Sequence, residues 1–401
     1  MSDRDRTAQF SALAVFRIFL RLGLTSFGGP IAHIGYFRQE FVQRRQWLNE
    51  SAFADLVGLS QFLPGPASSQ VGFALGLSRA GLAGGLAAWT GFTLPSAILL
   101  LALAHFAQRL TGPAGTAAIH GLKIVAVAVV AQAVWGMART LTPDLRRAAI
   151  AVMAAIIIFL NSGASGQIIA IAAGALAGTI FCRDARMPPK TQMVSPVSNA
   201  LGLGALAAFF SLLFGLPFLA ARLHSHALAV FEAFYRSGAL VFGGGHVVLP
   251  LLRDAVVAPG WISTNAFLAG YGAAQAVPGP LFTVAAYLGS VMNSPPNGIA
   301  GGLIALIAIF LPGLLILTGA LPFWDRFRVK VGAQAVMRGV NAAVVGILAA
   351  ALYDPLWKTS IGGWTDAALA FAGLLLLTLG KAPAWLVVAI VTVCAVGVAV
   401  S

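Results

Sequence analysis

Apolar residues run through this chain in blocks of helical length, broken at a few places by glycine and proline. Three stretches, 82–106, 117–137 and 299–320, are apolar almost throughout. Each meets the ~20 residues that an α-helix needs to cross hydrocarbon. Four others are interrupted midway, by Phe27-Gly28-Gly29, Pro64-Gly65-Pro66, Phe242-Gly243-Gly244 and Pro278-Gly279-Pro280. Proline removes an amide donor and clashes with the preceding turn, so the arm before each Pro-Gly-Pro must stop. The flanking arms, 52–63 with 66–77 and 266–277 with 280–291, are each ~18 Å of helix. That is too short for ~30 Å of hydrocarbon, so these arms are expected to be re-entrant. The short alternating segments of a β-barrel are not seen.

The interruptions form a set, and the set occurs twice. Gln61-Phe62-Leu63-Pro64-Gly65-Pro66 returns 214 residues later as Gln275-Ala276-Val277-Pro278-Gly279-Pro280. Arg21-x-Gly23-x-x-x-Phe27-Gly28-Gly29 returns 215 residues later as Arg236-x-Gly238-x-x-x-Phe242-Gly243-Gly244. Trp47 and Trp261, Pro95 and Pro312, and Gly121 and Gly339 keep nearly the same spacing. Duplications that carry broken helices are a common plan of membrane transporters. The chain divides into a first repeat, 1–182, a linker with one extra apolar span, 183–225, and a second repeat, 226–401. The expected fold class is all-α: a polytopic membrane protein of two inverted-topology repeats with broken or re-entrant helices.

Two arguments carry the inversion. The extra span turns the second repeat over if each repeat crosses an even number of times. Basic residues in matched loops also alternate: three, one and three in 36–50, 109–115 and 139–147, against one, three and one in 250–265, 321–332 and 353–366. Because basic loops stay inside, the copies are expected to be antiparallel. The linker residues Arg183, Arg186 and Lys190 place the N-terminus in the cytoplasm and the C-terminus outside, in an inner (plasma) membrane.

Composition narrows the function. Of 401 residues, 59% are hydrophobic and 9% charged, against roughly 25% charged in soluble domains. The lipid bilayer is therefore the surrounding medium. The net charge of +13 is spread over short loops, without a basic block interleaved with aromatics, so nucleic acid is not expected as a partner. Cys182 and Cys394 are isolated and suggest neither a disulfide nor a metal site, and no cofactor is implied. No small-residue cleavage site follows the mixed-charge start, so the first apolar segment is expected to remain as a span. The acids number 12 and fall in no His-Glu-x-x-His motif, and no Gly-x-Ser-x-Gly occurs, which ranks an intramembrane enzyme low. A homo-oligomer is left open.

The Pro-Gly-Pro turns are the first candidate site. A helix starting after Pro66 or Pro280 presents unpaired amides and a positive dipole end, which attract an anion. Ser68, Ser69 and Thr283 add hydroxyl donors, and Gln61 and Gln275 precede the turns. The alternative is a tight hairpin without a ligand. Gly28, Gly29, Gly243 and Gly244 either present bare amides or let helices pack closely. Arg21, Arg236 and Lys123 are cations in apolar segments, suited to an oxyanion path or to snorkelling. Glu232 lies four residues before Arg236, where it would pair locally. Asp55, Glu232, His33 and His246 are proton-coupling candidates, although Asp55 also suits a helix start and a lone histidine is more often simply hydrogen-bonded.

In these phrases the chain resembles the chromate transporter family. The matching residues are Phe27-Gly28-Gly29-Pro30, Phe37-Arg38 with Trp47, Gln61-x-x-Pro64-Gly65-Pro66, Gly84-Gly85 and Pro95. In the second copy they are Phe242-Gly243-Gly244-Gly245 and Gln275-x-x-Pro278-Gly279-Pro280. The resemblance covers almost the whole chain, in the long, two-domain form, and departs within the repeat where Pro30 becomes Gly245. It implies export of the chromate oxyanion, driven by membrane potential or a proton gradient, and chromate resistance. Sulfate has the same shape and charge, so a sulfate or other oxyanion transporter is the alternative.

Overall fold

The computed structural model describes residues 10–107, 112–161, 163–183, 197–242, 245–327 and 330–400. These residues are helical throughout their regular structure. Arg109, Arg186, Lys190, Gly243, Gly244 and Arg328 lie outside them.

The first repeat opens with α1 (Ala12–Thr25) and α2 (Gly29–Phe37), the latter continued by a π-helical turn, Arg38–Arg44. The break between them is a reversal rather than a continuation. Phe19 packs on Phe37 and Phe41, with ring centroids 5.7 and 5.0 Å apart, and Phe10 meets Trp47 at 5.3 Å. α2 therefore folds back along α1. Gly28 (φ +99°) and Gly29 (φ +75°) make the reversal. Nothing lies within 4 Å of a Cβ placed on Gly29, so it is here for its backbone conformation rather than for close packing.

A second hairpin follows: α3 (Glu50–Phe62), the Pro-Gly-Pro turn, and α4 (Ala67–Ala107). Asn49 caps α3, its side chain accepting from the Ala52 amide at 2.8 Å. α4 is two legs, because Ala80 and Gly81 leave the helical region. The chain doubles back there, and a Cβ on Gly76 would collide with the carbonyl oxygen of Gly84. Small residues at such crossings let helices approach closely in lipid. The outgoing leg is the long span that contains Pro95. Then come α5 (Pro113–Leu141), α6 (Leu145–Leu160) and α7 (Ala164–Phe181).

The second repeat has the same plan. α9 (His226–Ala239) and α10 (Val248–Val256) form the first hairpin, and α11 (Thr264–Ala274) and α12 (Val284–Ser290) the second. Ser263 caps α11 at the position matched to Asn49, accepting from the Ala266 amide at 3.2 Å. The long α13 (Gly298–Ala320), the short α14 (Trp324–Phe327), α15 (Val331–Ala351), a single helical turn α16 (Lys358–Ser360), α17 (Trp364–Thr378) and α18 (Ala384–Val400) complete it. α8 (Asn199–Leu223) is the unmatched span between the repeats. Among the described residues, five helices are long and apolar enough to cross a membrane: α4, α5, α8, α13 with its extension and α15 with its extension.

Packing joins the repeats by exchange. α5 packs on α17 and α18 of the second repeat, while α15 packs on α6 and α7 of the first. The contacts run through glycines: Gly121 lies against Thr392, and Gly339 against Gly174 and Gly178. α15 is central and largely buried, whereas α8 is peripheral and largely exposed. Phe210, Phe214 and Phe218 on α8 are exposed, as expected of a surface solvated by lipid.

Candidate functional site

The two Pro-Gly-Pro corners are buried, and each docks on the opposite repeat. The Gly65 N–H donates to the Val241 carbonyl at 2.8 Å, at the break between α9 and α10. The Gly279 N–H donates to the Ser26 carbonyl at 2.9 Å, at the break between α1 and α2. Gly65 (φ +118°) and Gly279 (φ +98°) occupy the left-handed region. A Cβ on Gly65 would sit 2.9 Å from Gly313 Cα, and one on Gly279 would sit 2.9 Å from Ser96 Oγ. Those neighbours follow Pro312 and Pro95 directly, so each corner also seats on the proline-containing span of the other repeat. The breaks meet as well: a Cβ on Gly245 would lie 3.1 Å from Pro30 Cγ. The corner glycine amides are thus spent in joining the repeats.

The helix starts differ. α4 begins at Ala67, one residue after Pro66. The first amides of a helix have no intrahelical partner, and among the described residues no backbone carbonyl accepts from those of Ala67, Ser68 or Ser69. Ser69 Oγ is buried without a partner. In the second repeat the chain leaves Pro280 as a 3-10 turn, Leu281–Thr283. The Thr283 hydroxyl donates back to the Pro280 carbonyl at 2.6 Å. The Thr283 amide also donates to the Pro280 carbonyl, at 3.1 Å, so among the described residues the second corner keeps two unpaired amides, of Leu281 and Phe282, where the first keeps three.

Around the start of α4 lies a buried polar cluster. His33 is fully buried; its Nε2–H donates to the Ser26 carbonyl at 3.2 Å, which leaves Nδ1 to accept from the Ser68 hydroxyl at 3.3 Å. The Gln70 side chain folds over the turn, its Nε2 donating to the carbonyls of Pro64 (2.9 Å) and Gly313 (3.0 Å). Both partners accept only, which fixes Oε1 as the remaining atom; it is buried and unpartnered. Sequence reasoning missed Gln70 because it breaks the repeat, its counterpart being Val284. The signal available was a lone glutamine in an apolar arm four residues after Pro66.

The cations are elsewhere. Arg21 lines an open cavity of about 450 Å³ with Thr25, Tyr36, Gln39, Gln43 and Arg44. Lys123 donates to Asn265 Oδ1 at 3.1 Å, at the start of α11 and so a whole short helix away from the second corner. Arg236 pairs with Glu232 at 3.0 Å, as their spacing predicts; the Glu232 side chain is only 12% exposed. Asp55 is not at a helix start: α3 begins at Glu50, which takes that role in the first turn. His246 Nδ1 and the Tyr271 hydroxyl are hydrogen-bonded at 2.8 Å. Gln61 is exposed and Gln275 half-buried.

The fold and this site define a multi-pass, all-helical membrane protein in which two like units lock through their broken helices. The family model for the chromate transporter matches residues 13–179 and again 228–398, so the chain belongs to the chromate transporter family. It is 28% identical over 348 residues to a chromate transport protein of Pseudomonas aeruginosa, covering 85% of this chain and 80% of that one. It is 26% identical over 363 residues to a chromate transport protein of Cupriavidus metallidurans (90% and 86%). It is 28% identical over 349 residues to a probable chromate transport protein of Synechococcus elongatus (86% and 84%). No solved structure matches it. The chain is a transporter and not an enzyme.

Proposed function

We propose that this protein exports a small tetrahedral oxyanion, chromate, by alternating access between two inverted repeats, 1–182 and 226–401, with 183–225 as linker and extra span. The observation that carries the reading is the exchange of corners: Gly65 on Val241 and Gly279 on Ser26. Irregular backbone at membrane depth is tolerated only where it is buried in protein or lines a wet cavity, and here it joins both halves at one place. Matched breaks of this kind mark the substrate site in many secondary transporters. The relatives named for chromate transport point to the substrate.

A mismatch between equivalent positions supports the alternation. A Cβ on Gly272 of α11 would collide with the Leu122 carbonyl of α5, whereas one on the matched Gly58 of α3 meets nothing within 4 Å. Lys123 holds Asn265 on the packed side, while its counterpart Asn341 has a shielded, unpartnered Oδ1. One hairpin is closed on its neighbouring span and the other is not. The alternation of basic loops puts the open α3 side toward the cytoplasm, and the Arg21 cavity beside it would admit the anion.

The test is flux of labelled chromate and labelled sulfate in vesicles under a pH gradient of either sign. Chromate should move, and replacing Pro64, Gly65 and Pro66 together by alanine should abolish its transport while membrane insertion persists. Unchanged flux in that variant would refute the site. Preferential movement of sulfate would make the protein a sulfate transporter instead.

A further inference from the structure

We propose that the first corner alone holds the oxyanion, and holds it as the monoprotonated, singly charged species, with Gln70 Oε1 accepting its proton-bearing oxygen's hydrogen bond. The inference rests on the transport reading above and adds the occupant's protonation state.

Three observations carry it. The first is the inequality of the corners. Positions 69 and 70, serine and glutamine in the first repeat, are Thr283 and Val284 in the second. Thr283 is bonded back to Pro280. The buried Ser60, in the arm before the first corner, is answered by Ala274. Within the two hairpins, the polar positions are thus richer at the first corner.

The second is the unpaired atoms of that side. The amides of Ala67, Ser68 and Ser69 are unpaired donors, and Ser69 Oγ is a buried hydroxyl without a partner. Gln70, the next residue of the same helix turn, offers a buried acceptor whose amide is pinned by two carbonyls and cannot turn to present its N–H. A fully ionised tetrahedral anion accepts hydrogen bonds and gives none. It would satisfy the donors and face Oε1 lone pair to lone pair. An anion carrying one proton satisfies both: its bare oxygens accept from the amides and Ser69, and its hydroxyl donates to Oε1.

The third is charge. Arg21 faces its own cavity, Lys123 is held by Asn265 and Arg236 by Glu232, so none of these three cations neutralises a dianion at the corner. The cost of dehydrating an ion rises with the square of its charge, so a monoanion costs about a quarter as much. Chromate keeps a proton in the near-neutral range, whereas sulfate holds one only in strong acid. A site that reads the proton therefore separates two anions of the same shape. Polar sites that leave a buried group unpaired against the wrong ligand discriminate strongly.

The experiment uses purified full-length protein in vesicles, with the same pH inside and outside so that no proton gradient acts. Labelled chromate is supplied at fixed total concentration across the near-neutral range, with unlabelled sulfate as competitor. Chromate flux should fall about tenfold for each pH unit above the anion's own pKa, and sulfate should compete poorly at every pH. Gln70→Leu should flatten the pH profile and let sulfate compete within about tenfold of chromate. Thr283→Val, at the matched place of the second corner, should keep both the profile and the preference. A wild-type flux indifferent to pH, or sulfate competing as well as chromate, would overturn the inference and leave chromate transport standing. No chromate flux at any pH would sink the transport reading itself. The wild-type profile decides even if Gln70→Leu fails to fold.

Discussion

At the scale of single residues, glycine does two separable things here. Gly65 and Gly279 are needed both for a left-handed backbone and for room, since a Cβ at either would press on the opposite repeat. Gly29 is needed for its backbone alone. Left-handed strain costs about 1–2 kcal/mol, and overpacking adds about 1–3 kcal/mol. Gly65→Ala and Gly279→Ala should therefore each lower stability by about 2–5 kcal/mol, and Gly29→Ala by no more than about 2 kcal/mol. Thermal unfolding in detergent would rank them, and equal losses would contradict the contact. The Pro-Gly-Pro residues were legible because helix breakers in apolar arms are conspicuous. Gln70 was not, since nothing in a one-dimensional pattern tells a buried glutamine that pins a turn from one facing water. The partners of Arg21 and Lys123 were hidden for a related reason: a cation in an apolar segment marks a polar neighbour without saying which one.

At the scale of elements, the hairpins follow from local chemistry. Asn49 and Ser263 open the matched arms α3 and α11 with side-chain caps. Loss of such a cap costs typically ~1 kcal/mol. Asn49→Ala and Ser263→Ala should each lower the unfolding temperature modestly while leaving chromate flux intact. A large loss of flux in either would mean the cap does more than start a helix. The four short arms and the long proline-bearing spans could be read from segment length. The reversal at Phe27-Gly28-Gly29 could not, because a glycine pair permits both a kink and a full turn. What decides is tertiary: Phe19 stacks on Phe41, and such aromatic pairs add about 0.5–1.5 kcal/mol beyond their buried area. The second corner's 3-10 turn was equally hidden, since Thr283 satisfies its own hydroxyl locally.

At the scale of the whole molecule, the duplication was visible as a repeated phrase and is matched twice by the family model. The exchange of α5 and α15 between repeats was not visible, because apolar helices of similar composition carry little local information about which neighbour they choose. The inequality of Gly58 and Gly272 was also hidden, since the residue is the same and only its surroundings differ. That inequality is where the account is most exposed. With Cys394 replaced by serine, cysteines at positions 123 and 265 joined by a reducible bifunctional thiol reagent would lock the side of the molecule that is packed in this structure. In vesicles, cross-linking that pair should stop chromate flux, and reduction should restore it. Flux that continues undiminished through the cross-linked protein would contradict alternating access through these hairpins.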